Sequence, residues 1–246
     1  MNKSYVQQYV ELERSHWWFL VREKIMLLLL SKNLPSGSLK ILNIGAAGGA
    51  SSEWLTAYGD VVSVETDIFF VDHLHRSGID VIEAGITCLP FVDASFDLVC
   101  AFDVIEHVED HQKALLEMHR ICKDEGYICI TVPAYQQLWS SHDVVNGHFR
   151  RYNFKQLKAI INQSISVEIK SWTYFNSILF IPILITRTFQ KINDNQKQFQ
   201  QSDFEKYKTG SFANKILYYL FNVEVTLLKY FRLPFGVSLF CFAKKR

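Results

Sequence analysis

Residues 39–55, "LKILNIGAAGGASSEWL", read as a buried strand that runs into a glycine-rich turn and then a helix. Glycines in such a turn let the backbone pass close to a ligand, and the arrangement suits a nucleotide. The spacing narrows the choice. A dinucleotide loop wants G-x-G-x-x-G, and counting from Gly45 gives Gly45, Ala47 and Ala50. A phosphate loop wants GxxxxGK followed by Ser or Thr, and no Lys follows here. What fits is strand, G-x-x-x-G from Gly45 to Gly49, helix, and then Glu65 at the end of the next strand. A carboxylate there can accept both hydroxyls of a ribose, and nothing in the loop demands a pyrophosphate.

Outward from this turn, β-like and helix-like runs alternate. "KILNI" (40–44), "VVSVE" (61–65), "IDVIEA" (79–84), "FDLVCAF" (96–102) and "GYICITV" (126–132) are rich in Val, Ile and Phe. Between the last two lies "EDHQKALLEMHRICKD" (109–124), whose Ala114, Leu115, Met118 and Ile121 follow the stripe of an amphipathic helix. Alternation of this kind predicts a parallel sheet with helices on both faces and a ligand at the strands' carboxyl ends. Residues 4–33 read as helical. "YNFKQLKAIINQ" (152–163) predicts a helix and "SVEIKSW" (166–172) a strand. The chain closes on "PFGVSLFCFAKK", strand-like after a Pro-Phe-Gly turn, which makes the apolar and basic stretch before it an insertion. No internal repeat is apparent. We read residues 1–246 as one domain: a helical cap (1–38), a ligand-binding core (39–172), a helical insertion (173–233) and a final strand (234–246).

Apolar residues make up 49 % of the chain and charged residues 21 %, which excludes wholesale disorder. The five cysteines show no CxxC pairing and sit mostly in apolar stretches, as reduced buried thiols do. The amino terminus shows no secretory signal, so the expected compartment is the cytoplasm. The apolar runs "IMLLLL" (25–30) and "YFNSILFIPILI" (174–185) fall short of the roughly 20 residues of a membrane span. Net charge is +1, but residues 1–185 hold 15 Lys and Arg against 21 Asp and Glu, and residues 186–246 hold 11 against 4. An acidic body without a basic groove disfavours nucleic acid. The basic, apolar tail suggests a surface for phosphates, anionic lipid or another protein, or simply a solvated face.

The ordered set "ILNIGAAGGA", "VVSVETD", "LPFVDASFDLVCAFDVIEHV", "GYICITVPAY" and "GHFRRYN" resembles the class I S-adenosylmethionine-dependent methyltransferases, in particular the methyltransferase type 11-like group. The resemblance covers about residues 16–172, and "LPFGVSLFCFAKK" also looks like that group's last strand. It implies a doubly wound, Rossmann-like α/β fold with a seven-stranded sheet whose last strand is antiparallel, and S-adenosylmethionine as cofactor. It puts the backbone of Gly45, Ala46, Ala47 and Gly49 under the methionine and ribose, Glu65 on the ribose hydroxyls, and Thr66 and Asp67 beside the adenine. Gly85 and Ile86 fall at a further adenine contact, and Phe102 and Asp103 face the methionyl end. Three positions depart from the family pattern. The usual acid of the first motif is Asn43, the second glycine is Ala47, whose methyl costs little if φ stays negative, and the acid that reads the adenine amine is Gly85.

Methyl transfer is an in-line displacement that needs no protein nucleophile; a hydroxyl acceptor needs a base. In "DVIEHV", Asp103, Glu106 and His107 would share one face of a helix and suit one divalent cation, although bracing of that helix is the favoured reading and no metal is assigned. The segment 132–152 follows the fifth strand and holds His142, Asp143, His148, Arg150, Arg151 and Tyr152. His148 is the first choice of base, then His142 and His107. The arginines suit an anionic group of the acceptor, or one of them pairs with a core carboxylate such as Glu11 or Glu13. Trp17, Trp18 and Arg22 suit an aromatic wall over the cleft, or plain core packing.

The expected activity is therefore methyl transfer to a small-molecule or lipid-linked acceptor at oxygen, with a catalytically impaired S-adenosylmethionine-binding module as the alternative. In 213–232, Ile216, Leu217, Leu220, Val223, Leu227 and Phe231 fall mostly on one side of a helix. That face is expected to pack within the insertion, with a homodimer or a weak peripheral contact at the inner membrane face as further roles.

Overall fold

The computed structural model of the chain describes residues 3–192 and 211–246; the polar run 190–206 lies almost wholly outside them. Among the described residues, seven strands form one sheet: β1 Leu39–Ile44, β2 Gly59–Glu65, β3 Val81–Glu83, β4 Phe96–Phe102, β5 Cys122–Pro133, β6 Val167–Phe175 and β7 Ser238–Lys245. Their order is β3-β2-β1-β4-β5-β7-β6. Strands β1 to β5 pair in parallel, as their alternation with helices predicts, and β7 runs antiparallel between β5 and β6, as the family resemblance implies. Strand order reverses at β1 and β4, so the crevice for a ligand opens at the carboxyl ends of those two strands.

The strands are apolar on consecutive positions because both faces of the sheet are covered. Leu42, Ile44, Val99, Ala101, Ile128, Ile130, Cys241 and Ala243 pack on one side, against helices α5 His111–Ile121 and α7 Phe154–Ser164. The alternate residues Ile41, Leu98, Cys100, Cys129, Phe240 and Phe242 pack on the other. There they meet α2 Trp17–Asn33, whose Val21, Ile25, Met26, Leu29 and Leu30 are buried. The run "IMLLLL" is thus core, and α2 belongs to the sheet's own packing as well as to the cap. Four cysteines are buried and Cys88 alone among the five is exposed, a departure from the uniformly buried set expected.

Local chemistry sets the helix limits. Residues 4–33 form two helices, α1 Lys3–Ser15 and α2, because His16 is extended and its Nδ1 accepts the Trp18 N–H at 3.3 Å. Helix α5 starts where the Asp110 carboxylate accepts the Lys113 N–H. It ends at Ile121, short of Asp124, because Cys122 pairs with Phe96 as the first residue of β5. Helices α3 Ala50–Leu55 and α4 Ile68–Arg76 follow β1 and β2, and α6 Ser141–Val145 follows β5.

Between β6 and β7 lie α8 Phe180–Ile192 and α9 Phe212–Tyr230. Helix α9 lies along α2, starting where α2 starts: Asn214 accepts the Trp17 N–H at 3.0 Å and donates to the Ser15 carbonyl at 3.2 Å. At the far end Lys32 donates to the Leu228 and Lys229 carbonyls, satisfying the helix terminus. Most of the face expected to pack is left open. Ile216, Leu220, Val223 and Leu227 are exposed and Phe231 is 66 % exposed, Leu217 is partly buried against the core, and Phe221 and Leu228 are the residues fully buried. Apolar residues stand on both sides of α9, so hydrophobicity does not choose between them. The polar anchors do: Asn214 is spaced at heptad intervals with Phe221 and Leu228, and Glu224 accepts the Ile178 N–H at 2.7 Å.

Replacing Asn214 by Ala leaves the buried Trp17 N–H and Ser15 carbonyl without this partner. The expected loss is about 1–3 kcal/mol, read as a lower urea midpoint with an unchanged slope. An unchanged midpoint would show that α9 is not held to α2 at this point.

Candidate active site

The turn after β1 is held in left-handed backbone by Gly45 (φ 74°) and Gly49 (φ 99°). A Cβ on Gly45 would stand 2.6 Å from Val104 Cγ2, so the close approach also requires glycine. Ala47 sits at φ 46°, not at the negative φ expected of it, and carries a strain of roughly 1–2 kcal/mol. The Glu65 carboxylate holds it there. Its Oε2 accepts the Ala47 N–H at 2.9 Å, and its Oε1 accepts the N–H groups of Thr66 at 2.7 Å and Asp67 at 3.1 Å. Oε2, engaged once, keeps a lone pair for a ligand hydroxyl.

Asp67 caps α4 by accepting the Phe69 N–H at 2.9 Å. Gly85 has no atom nearer to an added Cβ than Thr66 Cγ2 at 3.9 Å, so space is open beside Thr66, while Ile86 is buried in the core. Asn43 lies beneath the turn, fully buried, and donates to Ser51 and Ser52 at 2.8 and 2.9 Å. It braces β1 against α3.

Above the turn is a small cleft, partly open to solvent, bounded by Tyr9, Glu13, Phe19, Arg22, Trp54 and Phe102 and by Gly45, Ala46, Ala47, Ala50 and Ser51. Arg22 reaches from α2 to Asp103 Oδ2 at 2.6 Å and to Thr131 Oγ1 at 3.3 Å, and its guanidinium stacks 4.9 Å from the Trp18 ring centre. Trp18 is partly buried, between Arg22 and the core, and Trp17 is core, edge-on to Phe221. Asp103 is itself in left-handed backbone (φ 57°) at the carboxyl end of β4. Strain at that position is of the kind that functional sites retain.

Glu13, from α1, has its Oε2 over Gly48 and accepts the Ala50 N–H at 3.4 Å. Burial raises its pKa to about 7, outweighing the Ala50 N–H and the charge of Arg22. A carboxyl whose folded pKa exceeds its unfolded value stabilises the fold below the unfolded pKa of about 4.5, and that contribution is lost as pH rises through 7. Glu13→Gln should therefore raise the melting temperature of the cofactor-free protein at pH 8 and change it little at pH 5. An equal shift at both values would contradict a buried, protonated Glu13.

Across Asp103 from the cleft, the expected helix over "DVIEHV" is only a 3-10 turn, Ile105–His107. Asp103, Glu106 and His107 therefore do not share one helix face, and Asp103 is committed to Arg22. Glu106 is fully buried, and neither carboxylate oxygen has a partner among the described residues. Burial, and then the Asp103 charge, push its pKa well above the ordinary carboxylate range. The Phe149 N–H donates to the Glu106 carbonyl at 2.7 Å and brings the 146–149 loop alongside. His148 then stacks edge-on to His107, with ring centres 4.6 Å apart.

His148 Nδ1 lies 2.8 Å from Asp143 Oδ1, and Arg151 Nε donates to the same oxygen at 2.7 Å. Burial alone would raise the Asp143 pKa; the His148 bond, the Arg151 charge and the Ser140 N–H outweigh it and hold it well below the usual range. Arg151 pairs with Asp143, not with Glu11 or Glu13, and is buried. Tyr152 is buried too, with its hydroxyl 2.7 Å from His111 Nδ1. Arg150 donates to the Glu109 carbonyl and stays half-exposed. His142 is half-buried one turn from Asn146, which donates to its carbonyl at 2.7 Å.

Residues 42–130 match the methyltransferase domain family. A demethylmenaquinone methyltransferase of Renibacterium salmoninarum is 32 % identical over 52 % of this chain and 53 % of its own. A dimethylglycine N-methyltransferase of Parasynechococcus marenigrum is 32 % identical over 44 % and 41 %. The chain thus spans about half the length of these curated relatives. A Thermotoga maritima structure described as an S-adenosylmethionine-dependent methyltransferase, possible histamine N-methyltransferase, superposes with a TM-score of 0.60, at 17 % identity, over 99 % of this chain and 98 % of that one. Residues 42–130 thus match a methyltransferase domain, and the doubly wound seven-stranded fold around them is shared with that structure.

The residues present fit that cofactor: a fixed Glu65 with a free lone pair, glycine backbone under the cleft, and open space at Gly85. Sequence reasoning missed Tyr9, Glu13, Phe19 and Trp54 as cleft residues. Trp54 followed the glycine turn in the quoted stretch and was the one of these that the motif itself could have pointed to.

Proposed function

We propose that the chain transfers the methyl group of S-adenosylmethionine to a hydroxyl of a small-molecule or lipid-linked acceptor. The observation that carries this reading is the Glu65 carboxylate, fixed by three backbone N–H groups beside the glycine turn at the sheet's switch point. The bound cofactor supplies a methyl group on a sulfonium, so the chain's own part is chiefly alignment. In this reading Glu65 takes the ribose hydroxyls, and Thr66, Asp67, Gly85 and Ile86 surround the adenine. Gly45, Ala46, Ala47 and Gly49, with Phe102 and Asp103, frame the methionyl end, and Asn43 supports the turn from below. Trp18, Arg22 and Arg150 face the acceptor. Trp17, Asp143, Arg151 and Tyr152 position their neighbours. Asp143 accepts from His148 Nδ1, so His148 Nε2 keeps the lone pair that takes the acceptor's proton, ahead of His142 and His107. The demethylmenaquinone methyltransferase among the relatives supports a small-molecule acceptor.

Glu65→Ala should weaken S-adenosylmethionine binding tenfold or more by calorimetry, with an unchanged circular dichroism spectrum, since each lost charge-assisted bond is worth about 1.5–3 kcal/mol. His148→Ala should bind the cofactor normally and lose about 10²–10⁴ in label transfer to hydroxylated acceptors. Unchanged affinity in the first variant removes the ribose assignment, and unchanged turnover in the second removes the base.

A lipid-linked acceptor is favoured by the open side of the insertion. Phe212, Tyr219 and Tyr230 are 69–80 % exposed on α9, Ile181, Ile185 and Phe189 are exposed on α8, and Lys215 and Lys229 flank the α9 stripe. No helix among the described residues is long and apolar enough to cross a membrane. In this reading the face rests on anionic lipid at the inner membrane surface. Liposome flotation should then show salt-sensitive binding only with anionic vesicles. No binding, with concentration-dependent dimers in sedimentation, would assign the face to a second copy of the chain.

A further inference from the structure

We propose that Glu106, His107 and His148 form a binding site for one divalent transition-metal cation. One potential ligand atom from each lies within 4.8 Å of the others. Tetrahedral bonds of about 2.1 Å would set such atoms about 3.4 Å apart, so ion binding would draw the three groups closer together. Two imidazoles and one carboxylate suit zinc and its first-row neighbours and leave at least one coordination position open.

Three observations point to an ion rather than to a chance grouping. First, Glu106 is fully buried and both its oxygens lack a partner among the described residues, although buried carboxylates ordinarily find one. Second, His148 is already oriented as a ligand. The carboxylate of Asp143 can only accept, so Nδ1 carries the proton and Nε2 presents its lone pair; Asp143 is fixed in turn by Arg151 and the Ser140 N–H. A carboxylate behind an imidazole is the usual support of a metal-bound histidine. Third, the backbone joins the two halves of the set, because the Phe149 N–H is bonded to the Glu106 carbonyl. Asp103 is not a member, being held by Arg22.

The site goes beyond the proposed function and competes with its base: a bound cation takes the His148 Nε2 lone pair, so where the ion is present the acceptor's proton must go to another group and an acceptor oxygen takes the open position. Cation binding itself needs neither cofactor nor acceptor, which separates the tests.

Protein stripped with EDTA is titrated with Zn²⁺ by calorimetry and with Co²⁺ by visible absorption. One-to-one binding with a micromolar or tighter Kd is expected, with cobalt d–d bands of a four- or five-coordinate site. Glu106→Gln and the exposed His107→Ala should each weaken it at least 100-fold, while His75→Ala, on the surface of α4, should not. Circular dichroism and an S-adenosylmethionine titration of every variant confirm that each is folded. Absence of stoichiometric binding, or binding indifferent to Glu106→Gln and His107→Ala, overturns the site. Cofactor binding without cation binding would overturn this site alone and leave the proposed function standing.

Discussion

Strands β1, β4 and β5 have no face to spare for polar groups. Each packs Leu, Ile, Val, Cys or Phe against helices on both sides, so a charged side chain within them would lose its hydration without gaining a partner. Charged groups are therefore displaced to the strand ends: Lys40, Asp97, Lys123, Asp124 and Glu125 stand at the amino ends, and the polar groups of the site at the carboxyl ends. Glu65 ends β2, Asp103 follows β4 and Thr131 lies near the carboxyl end of β5; Glu65 receives the glycine turn, and Asp103 and Thr131 receive Arg22. The exceptions inside are small and mutually bonded, as in the chain from Asn43 through Ser52 to Ser63.

Around Asp103 the charges are arranged unevenly. Arg22 is matched by Asp103 and Arg151 by Asp143, each at 2.7 Å or less. Glu106 stands between these pairs, fully buried, with no cation of its own. Burying a lone carboxylate is costly, and the site meets that cost either by keeping a proton on Glu106 or by holding an external positive charge. The same two pairs anchor the elements on either side of Asp103: Arg22 brings α2 to the ends of β4 and β5, and Arg151 with Asp143 fixes the loop that carries His148.

The motif-bearing half of this architecture was legible residue by residue. "KILNI", "VVSVE", "FDLVCAF" and "GYICITV" are strands because β-branched and aromatic residues fill both faces of a buried sheet, and "GAAGG" is a turn because left-handed backbone selects glycine. Glu65 could be placed for the same reason, by its distance from Gly45. The side beyond Asp103 was less legible. "DVIEHV" has helical spacing but only one 3-10 turn, since the left-handed Asp103 turns the chain before a helix can start. Arg151 pairs with Asp143, eight residues away, and not with the N-terminal acids, a choice that composition does not encode.

What the sequence by itself determined is the doubly wound sheet, the glycine turn and Glu65, because each rests on periodicity or on backbone conformations that few residues tolerate, while the antiparallel last strand came from the family resemblance. What only the tertiary structure decided is which distant side chains meet. Helix α1 brings Glu13 over Gly48, Phe149 brings His148 to His107, and α9 docks through Asn214 and Glu224 rather than through its longer apolar stripe. Those contacts join residues tens to hundreds of positions apart. Short-range pattern cannot specify them, because the donor, the acceptor and the burial that makes them count exist together only once the sheet has formed.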